Sequence, residues 1–558
     1  MIIFLPSHLR AQSSFRLVCE PEFYEKLKNY LQAESLSNFF YNSDSLYKRI
    51  DQFFFQEGFL DYKIISEKFV ENSDTISLIQ IFEGQKYLIN SIHINDSLIS
   101  NNEINQFNAR IKGSVFSPST IQSIKLKLAE HYELKGYPFA EVTLDGFEIK
   151  KEESKEKFIE VFFSVEKNLK AKIDKVEIAG NNFTKENVII RELNIKENDY
   201  FNPKLSQKLI TRLQRLNIFS NIKNPEFYFD EKNKGNLRIE VVEDNTNSFD
   251  GLIGYIPSSE RDRKGYLTGQ VNFSFRNLFG TLRAFSFRWN RIDRFSQDLE
   301  IKYFEPWFFN LPLNILPSFQ QTKQDTSFIR RNFNSQFDLN LLENFSIVLS
   351  ISFSSVIPQS QYYINNVFNS TSTGYGVGIK IDTRDHPFFT KSGLLFRTDF
   401  YQVIKKIHDK TQTSRYNQKK GHFNFQIFQQ VIKNQILFAS FNAKVIDGGK
   451  IEISDLFYLG GMNTVRGYEE NQFRGSRVFW SNIEYRLFVS YTDYVALFFD
   501  SGYYFRDILD EKLSKFRIGY GFGIGFNMPL GLMKVSYALG EGDSFLRGKI
   551  HFGIVSAF

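Results

Sequence analysis

From about Ser248 to Phe558 the chain alternates between apolar and polar side chains, and the polar register is charged. Successive side chains of an extended strand point to opposite faces. Val271, Phe273 and Phe275 therefore share one face, while Asn272, Ser274 and Arg276 share the other. The same split separates Ile347, Leu349, Ile351 and Phe353 from Ser350 and Ser352, and Phe423, Phe425 and Ile427 from Asn424 and Gln426. A soluble sandwich also alternates, but it buries its greasy face and needs little charge on the other. Here the polar register holds Arg288, Lys302, Lys380, Asp382, Asp399, Glu484 and Asp500, which suits a hydrated lumen. The pattern predicts a transmembrane antiparallel β-barrel over residues 246–558. About 310 residues, at roughly twenty per strand with its connection and about ten per tilted span, make room for about sixteen strands.

Composition excludes the other route into a membrane. The 558 residues include 62 Phe and 27 Tyr, yet 24% are charged. No uninterrupted apolar run reaches the length of about twenty residues that a spanning helix needs. The net charge of +6 is spread along the chain, so no nucleic-acid partner is predicted. Cys19 is the single cysteine, which rules out an intramolecular disulfide and a thiolate cluster. The seven histidines show no ligand-like spacing, and neither a metal nor a cofactor is expected. No hydrolytic triad or phosphate loop emerges, so the chain does not read as an enzyme. Residues 1–13 resemble the last part of a secretory signal peptide that lacks a basic leading region. Leu17-Val18-Cys19 lacks the small residue expected before a lipoprotein acceptor.

Ahead of the barrel the pattern repeats, with modules over 14–87, 88–168 and 169–245. Ile89-x-x-Ile92-x-Ile94 recurs as Ile173-x-x-Val176-x-Ile178. Amphipathic helices follow over 45–58, 119–136 and 202–216; in the second, Ile121, Ile124, Leu128 and Tyr132 fall on one face. Each copy closes on paired strands ending Phe82-Glu83, Val165-Glu166 and Val242-Glu243, giving β-α-α-β-β units.

One loop stands apart from the alternation: Leu459-Gly460-Gly461-Met462-Asn463-Thr464-Val465-Arg466-Gly467-Tyr468. It carries one arginine among apolar neighbours. Glu484 and Asp500 lie inward on the strands that follow, and a planar guanidinium can satisfy two carboxylates at once. Val465, Arg466, Gly467 and Tyr468, with Glu484 and Asp500, are the candidate internal latch. Gly519, Gly521, Gly523 and Gly525 share one face of a later strand. Such a bare face either makes room for an inserted loop or relieves barrel curvature. Asp382, Arg384 and Asp385, in Asp382-Thr383-Arg384-Asp385, are expected to supply lumen electrostatics.

These motifs, in order with Asn277-Leu278-Phe279-Gly280, Glu305-Pro306-Trp307-Phe308 and the terminal Phe558, resemble the BamA/TamA superfamily of outer-membrane assembly and translocation proteins. The β-α-α-β-β units resemble its POTRA modules, and three of them look most like TamA. The resemblance implies periplasmic modules before an outer-membrane barrel of sixteen strands in a Gram-negative-type cell. Phe552 and Phe558 would belong to a C-terminal sorting signal. Partners would be unfolded outer-membrane or secreted client proteins and outer-membrane lipid, with room for an inner-membrane or periplasmic partner protein. The implied function is insertion or translocation of clients; a passive channel or receptor, or a two-partner secretion transporter, stands as the alternative.

Overall fold

The computed structural model describes residues 14–32, 43–71, 74–150, 157–196, 199–256, 266–291, 296–324, 327–358, 367–409, 412–508, 511–528 and 531–555. The leader reading of residues 1–13 and the sorting role of Phe558 fall outside these residues. The chain divides into two compact units: Met1–Lys175 with Glu197–Ser206 and Phe227–Leu237, and Val176–Lys196 with Gln207–Glu226 and Arg238–Phe558.

The first unit contains two small sheets, each flanked by a helix pair. In one, Ser14–Val18 runs parallel to Asp74–Phe82, which pairs antiparallel with Lys63–Glu71. In the next, Tyr87–Ile94 runs parallel to Lys157–Glu166, with Glu141–Lys150 on its other side. The helix Asn101–Ile111 starts where it does because Ser100 and Glu103 cap each other: Glu103 N donates to Ser100 Oγ (3.3 Å) and Ser100 N to Glu103 Oε2 (2.8 Å). The Ser100 amide, its hydroxyl and then Lys135 hold the Glu103 carboxyl down at about 2. Pro118 opens the next helix, Pro118–Leu134, where its missing N–H costs nothing. That helix buries Ile121, Ile124, Leu128 and Tyr132 against Ile89, Ile92, Ile159 and Val161. Each buried aliphatic contributes roughly 1.5–3 kcal/mol. A third small sheet contains Lys175–Ala179, Gly235–Glu243 and Phe219–Ile222, with Glu226–Phe229 paired to Gly235–Glu243. Its elements are divided between the two units.

Sixteen antiparallel strands, from Asn247–Ile256 to Lys549–Val555, form the barrel sheet. Its chemistry is inside out. Leu349 is 50% and Leu497 65% exposed on the outer register, while Val348 and Asp500 on the inner one are fully buried. Only a hydrocarbon surround makes that arrangement favourable, since each exposed apolar side chain would otherwise forfeit its transfer free energy. Phe552 lies on the outer register, 65% exposed. The strand order passes directly from Gln435–Asp447 to Arg477–Phe488, and the chain between them forms its own hairpin, Phe457–Leu459 with Phe473–Gly475. Among the described residues no ladder joins the first barrel strand to the last.

Candidate functional site

The hairpin between Gln435–Asp447 and Arg477–Phe488 carries its tip, residues 460–472, against inward-facing side chains of the later strands. Leu459, Val465 and Tyr468 pack there with Val478 and Tyr504. Between Val465 and Tyr468, Arg466 is 4% exposed. Its Nε and Nη2 donate to the two oxygens of Asp500 at 2.7 and 2.8 Å, a bidentate fork. Its Nη1 lies 2.9 Å from Glu484 Oε1, and its backbone N donates to Asp500 Oδ2 at 3.0 Å. The guanidinium rests on the Phe498 ring, 3.5 Å from the centroid.

Four further partners complete the cluster. Arg486 Nη2 is 2.7 Å from Glu484 Oε2, so two cations face two carboxylates and the buried charges cancel. Asn482 Nδ2 donates both to Asp500 Oδ1 (2.9 Å) and to Thr464 O (2.6 Å). Gly467 N donates to His551 Nε2 at 3.0 Å, and Tyr468 Oη donates to Ile518 O at 2.9 Å. Arg486 shares the parity of Glu484 and was open to the same reading; His551 carries no comparable signal, because its partner is a main-chain N–H.

The bare register now has occupants. A Cβ on Gly519 would stand 1.9 Å from Arg466 O, and Gly467 itself turns with φ +92°. Such contact is closed to any residue with a side chain. A Cβ on Gly521 would stand 2.0 Å from Tyr537 O, and one on Gly525 would stand 2.5 Å from the Tyr494 ring. Loop insertion accounts for Gly519, close main-chain approach of the next strand for Gly521, and ring packing for Gly525.

A second anchor holds the base of the same loop. Lys405 Nζ is 2.8 Å from Glu452 Oε2 and 2.6 Å from Asp455 Oδ2, and Lys405 and Glu452 are almost wholly buried. Lys405 lies six residues along the inward parity from Asp399, the signal by which it could have been found.

Asp382, Arg384 and Asp385, expected to supply lumen electrostatics, stand at a strand end and in the turn that follows it. Arg384 Nε and Nη2 close on Asp382 at 2.9 and 2.8 Å. Asp385 is spent within its own turn, accepting from His386 N at 2.9 Å and Lys391 N at 3.0 Å. Asp382 and Arg384 thus balance one another, and Asp385 serves the main-chain donors of its ten-residue turn. The turn tucks Phe388 and Phe389 into a buried cluster with Phe428, Phe438, Phe488 and Tyr494. Arg486 lies 4.2 Å from the Phe438 ring centroid and 4.9 Å from that of Tyr494, which links this aromatic cluster to the arginine loop.

The motifs at 277–280 and 305–308 are turns at the same end of the barrel. Asn277, Phe279 and Leu282 in one, and Trp307, Phe309 and Asn310 in the other, have positive φ. Docking contacts hold them so: Asn277 Nδ2 donates to Thr184 Oγ1 (2.8 Å), Lys185 N to Gly280 O (3.0 Å), and Trp307 Nε1 to Glu192 Oε1 (2.7 Å). Glu343, in the turn 343–344, receives Arg212 bidentately at 2.9 Å on each oxygen and Lys208 at 2.6 Å. Burial pushes the Glu343 carboxyl up, but the bonds from Arg212 and Lys208 outweigh it and hold it down at about 2. A cavity of about 690 Å³ opens among these turns.

Residues 277–558 match the model of the Omp85 superfamily domain, and residues 171–244 match that of the surface antigen variable number repeat, or POTRA. The outer membrane protein assembly factor BamA of Neorickettsia risticii is 22% identical over 588 residues, covering 98% of this chain and 75% of that protein. BamA of Nitratidesulfovibrio vulgaris is 24% identical over 234 residues, 41% of this chain; the alignment spans only 29% of that relative's length. Among solved structures, BamA from Haemophilus ducreyi lacking POTRA domains 1-3 aligns with a TM-score of 0.49 at 15% identity, covering 84% of this chain and 98% of its own. CdiB from Escherichia coli aligns with a TM-score of 0.47 at 12% identity, covering 84% and 90%.

Proposed function

We propose, for a chain that belongs to the Omp85 superfamily, that it is an insertase or translocase: client polypeptides meet the N-terminal modules and are assembled into, or exported across, the outer membrane by the barrel. The protein resides in the outer membrane of a Gram-negative-type cell, with its modules in the periplasm. The observation that carries this reading is the lumen loop. Its Arg466 cluster, with Asp500 fully buried and Arg466 and Glu484 each 4% exposed, is packed out of water inside the barrel, where a passive pore would keep its charges hydrated. The arginine loop then acts as a latch that keeps the wall closed until a client engages. Client strands would exchange main-chain hydrogen bonds with the barrel wall, and transfer of apolar surface into lipid, at roughly 25 cal/mol per Å², would drive insertion without a nucleotide.

The test sets client insertion beside single-channel conductance in liposomes holding the full chain. Insertion of an unfolded barrel client without steady current supports the proposal. Steady current without insertion would establish the passive channel.

A further inference from the structure

We propose that the periplasmic mouth of the barrel lumen is a binding site for a carboxylate carried on an apolar polypeptide segment, which rests on the reading that this chain handles polypeptides. The cavity of about 690 Å³ at this mouth is lined by six cationic and three anionic side chains. Two of the anions are already committed: Glu343 to Arg212 and Lys208, and Asp382 to Arg384. The third, Glu192, accepts from Trp307 and has Arg191 Nη2 only at 3.5 Å.

The excess therefore falls on particular residues. Arg215 donates to Arg384 O (2.8 Å) and Asn344 Oδ1 (3.0 Å), both uncharged acceptors. Arg276 donates to two carbonyls, Thr246 O and Asn217 O, each at 3.4 Å, and the one carboxylate acting on it, Asp244, makes no hydrogen bond to it among the described residues. Lys380 makes no salt bridge among the described residues, and Arg191 Nε is buried without a hydrogen-bond partner. Six cations that share three carboxylates around one cavity repel one another, and an incoming anion relieves that repulsion while making charge-assisted bonds.

The remainder of the lining decides what carries the anion. Trp307, Leu216, Ile218 and Phe304 supply apolar walls beside the cations, as a site for an amphipathic ligand requires. Arg276 and Lys380 sit on the inward register of their strands; Val377 and Ile379, flanking Lys380, are exposed on the outer one. The cations thus face the lumen end and not the lipid, which selects a polypeptide arriving through the periplasm over a membrane headgroup.

The probe is a short peptide, Ser-Phe-Ser-Phe-Glu, carrying a neutral dye at its N-terminus and free carboxylates at its end. Its control has Gln for Glu and a C-terminal amide. Anisotropy is read with the full chain in nanodiscs. The carboxylate peptide is expected to bind on the order of tenfold more tightly than its control, with a preference that shrinks as salt rises. Arg276→Gln with Lys380→Gln should abolish that preference, while cold and heated gel migration reports that the barrel has formed. Lys380→Gln alone, expected to reduce the preference several-fold, serves if the double variant does not fold. Equal binding of the two peptides, or a preference unchanged in the variants, overturns the inference. Tighter binding of dihexanoylphosphatidylglycerol than of the peptide overturns the choice of polypeptide. A wild-type chain that inserts clients but shows no carboxylate preference sinks the mouth site alone; one that shows the preference but inserts nothing sinks the proposed function alone.

Discussion

Replacing Arg466 with alanine removes two bonds to Asp500, at 2.7 and 2.8 Å, and one contact to Glu484 at 2.9 Å. The two carboxylates lose unequally. Glu484 keeps Arg486 at 2.7 Å. Asp500, fully buried, keeps only the Asn482 amide at 2.9 Å and the backbone N–H of residue 466 at 3.0 Å, neither of them charged. Breaking one side of a buried ion pair costs about 3–5 kcal/mol, and the two surviving donors place this case near the low end. A loss of about 3 kcal/mol shifts the balance between seated and released loop by roughly a hundredfold. Hydrogen exchange over residues 460–472 should accelerate accordingly, while the barrel still migrates as folded. Asp500→Asn in the Arg466→Ala background should restore much of the protection, because it removes the orphaned charge. Arg466→Lys should restore little, since an ammonium cannot span both carboxylates as a planar fork does. If Arg466→Ala costs less than about 1 kcal/mol, or Asp500→Asn restores nothing, the cluster is hydrated and the latch reasoning fails.

Gly519→Ala sets a methyl group against Arg466 O, a backbone atom that cannot rotate away; overpacking of this kind costs about 1–3 kcal/mol or more, and hydrogen exchange over residues 460–472 should accelerate. Lys405→Met leaves Glu452 and Asp455 without their ammonium and should destabilise the loop base by about 3–5 kcal/mol, read as faster exchange near Ile453–Asp455; unchanged exchange there would remove the second anchor. Because the Glu343 carboxyl is held at about 2, below its ordinary 4.5, its contribution to docking is complete above about pH 4.5 and fades as pH falls towards 2. Hydrogen exchange of the helix Pro203–Leu216, corrected for the intrinsic pH dependence of exchange, should accelerate across that window, and Glu343→Gln should flatten the profile.

Alternation made the barrel legible because lipid and lumen impose opposite chemistry on neighbouring residues, so a single register error would expose every charge. The inward register of Glu484 and Asp500 follows from the same rule. Which inward groups meet does not, because that depends on the path of a loop through the lumen. Lys405 finds Glu452 and Asp455 across 47 and 50 residues, and no periodicity encodes that pairing. The bonds of Asp385 are hidden for a related reason: they go to main-chain donors of its own turn, which alternation does not encode. The cationic mouth was equally hidden, since Arg191, Arg215, Arg276 and Lys380 are dispersed along the chain and converge only where turns and helix meet.

The partners of the loop tip lie later in the chain than the tip itself, at separations that span all the strands still to come. Thr464 meets Asn482, 18 residues on; Arg466 meets Asp500 at 34; Tyr468 meets Ile518 at 50 and Glu541 at 73; Gly467 meets His551 at 84. Closing a loop becomes only slowly more costly with length, by about 0.6 kcal/mol per doubling. Once Asn482 is bound, every further contact therefore encloses only the increment of chain beyond the last. The loop is a template along which the final strands can be laid down one after another, and the C-terminal strand, joined through His551, is the last to be registered against it.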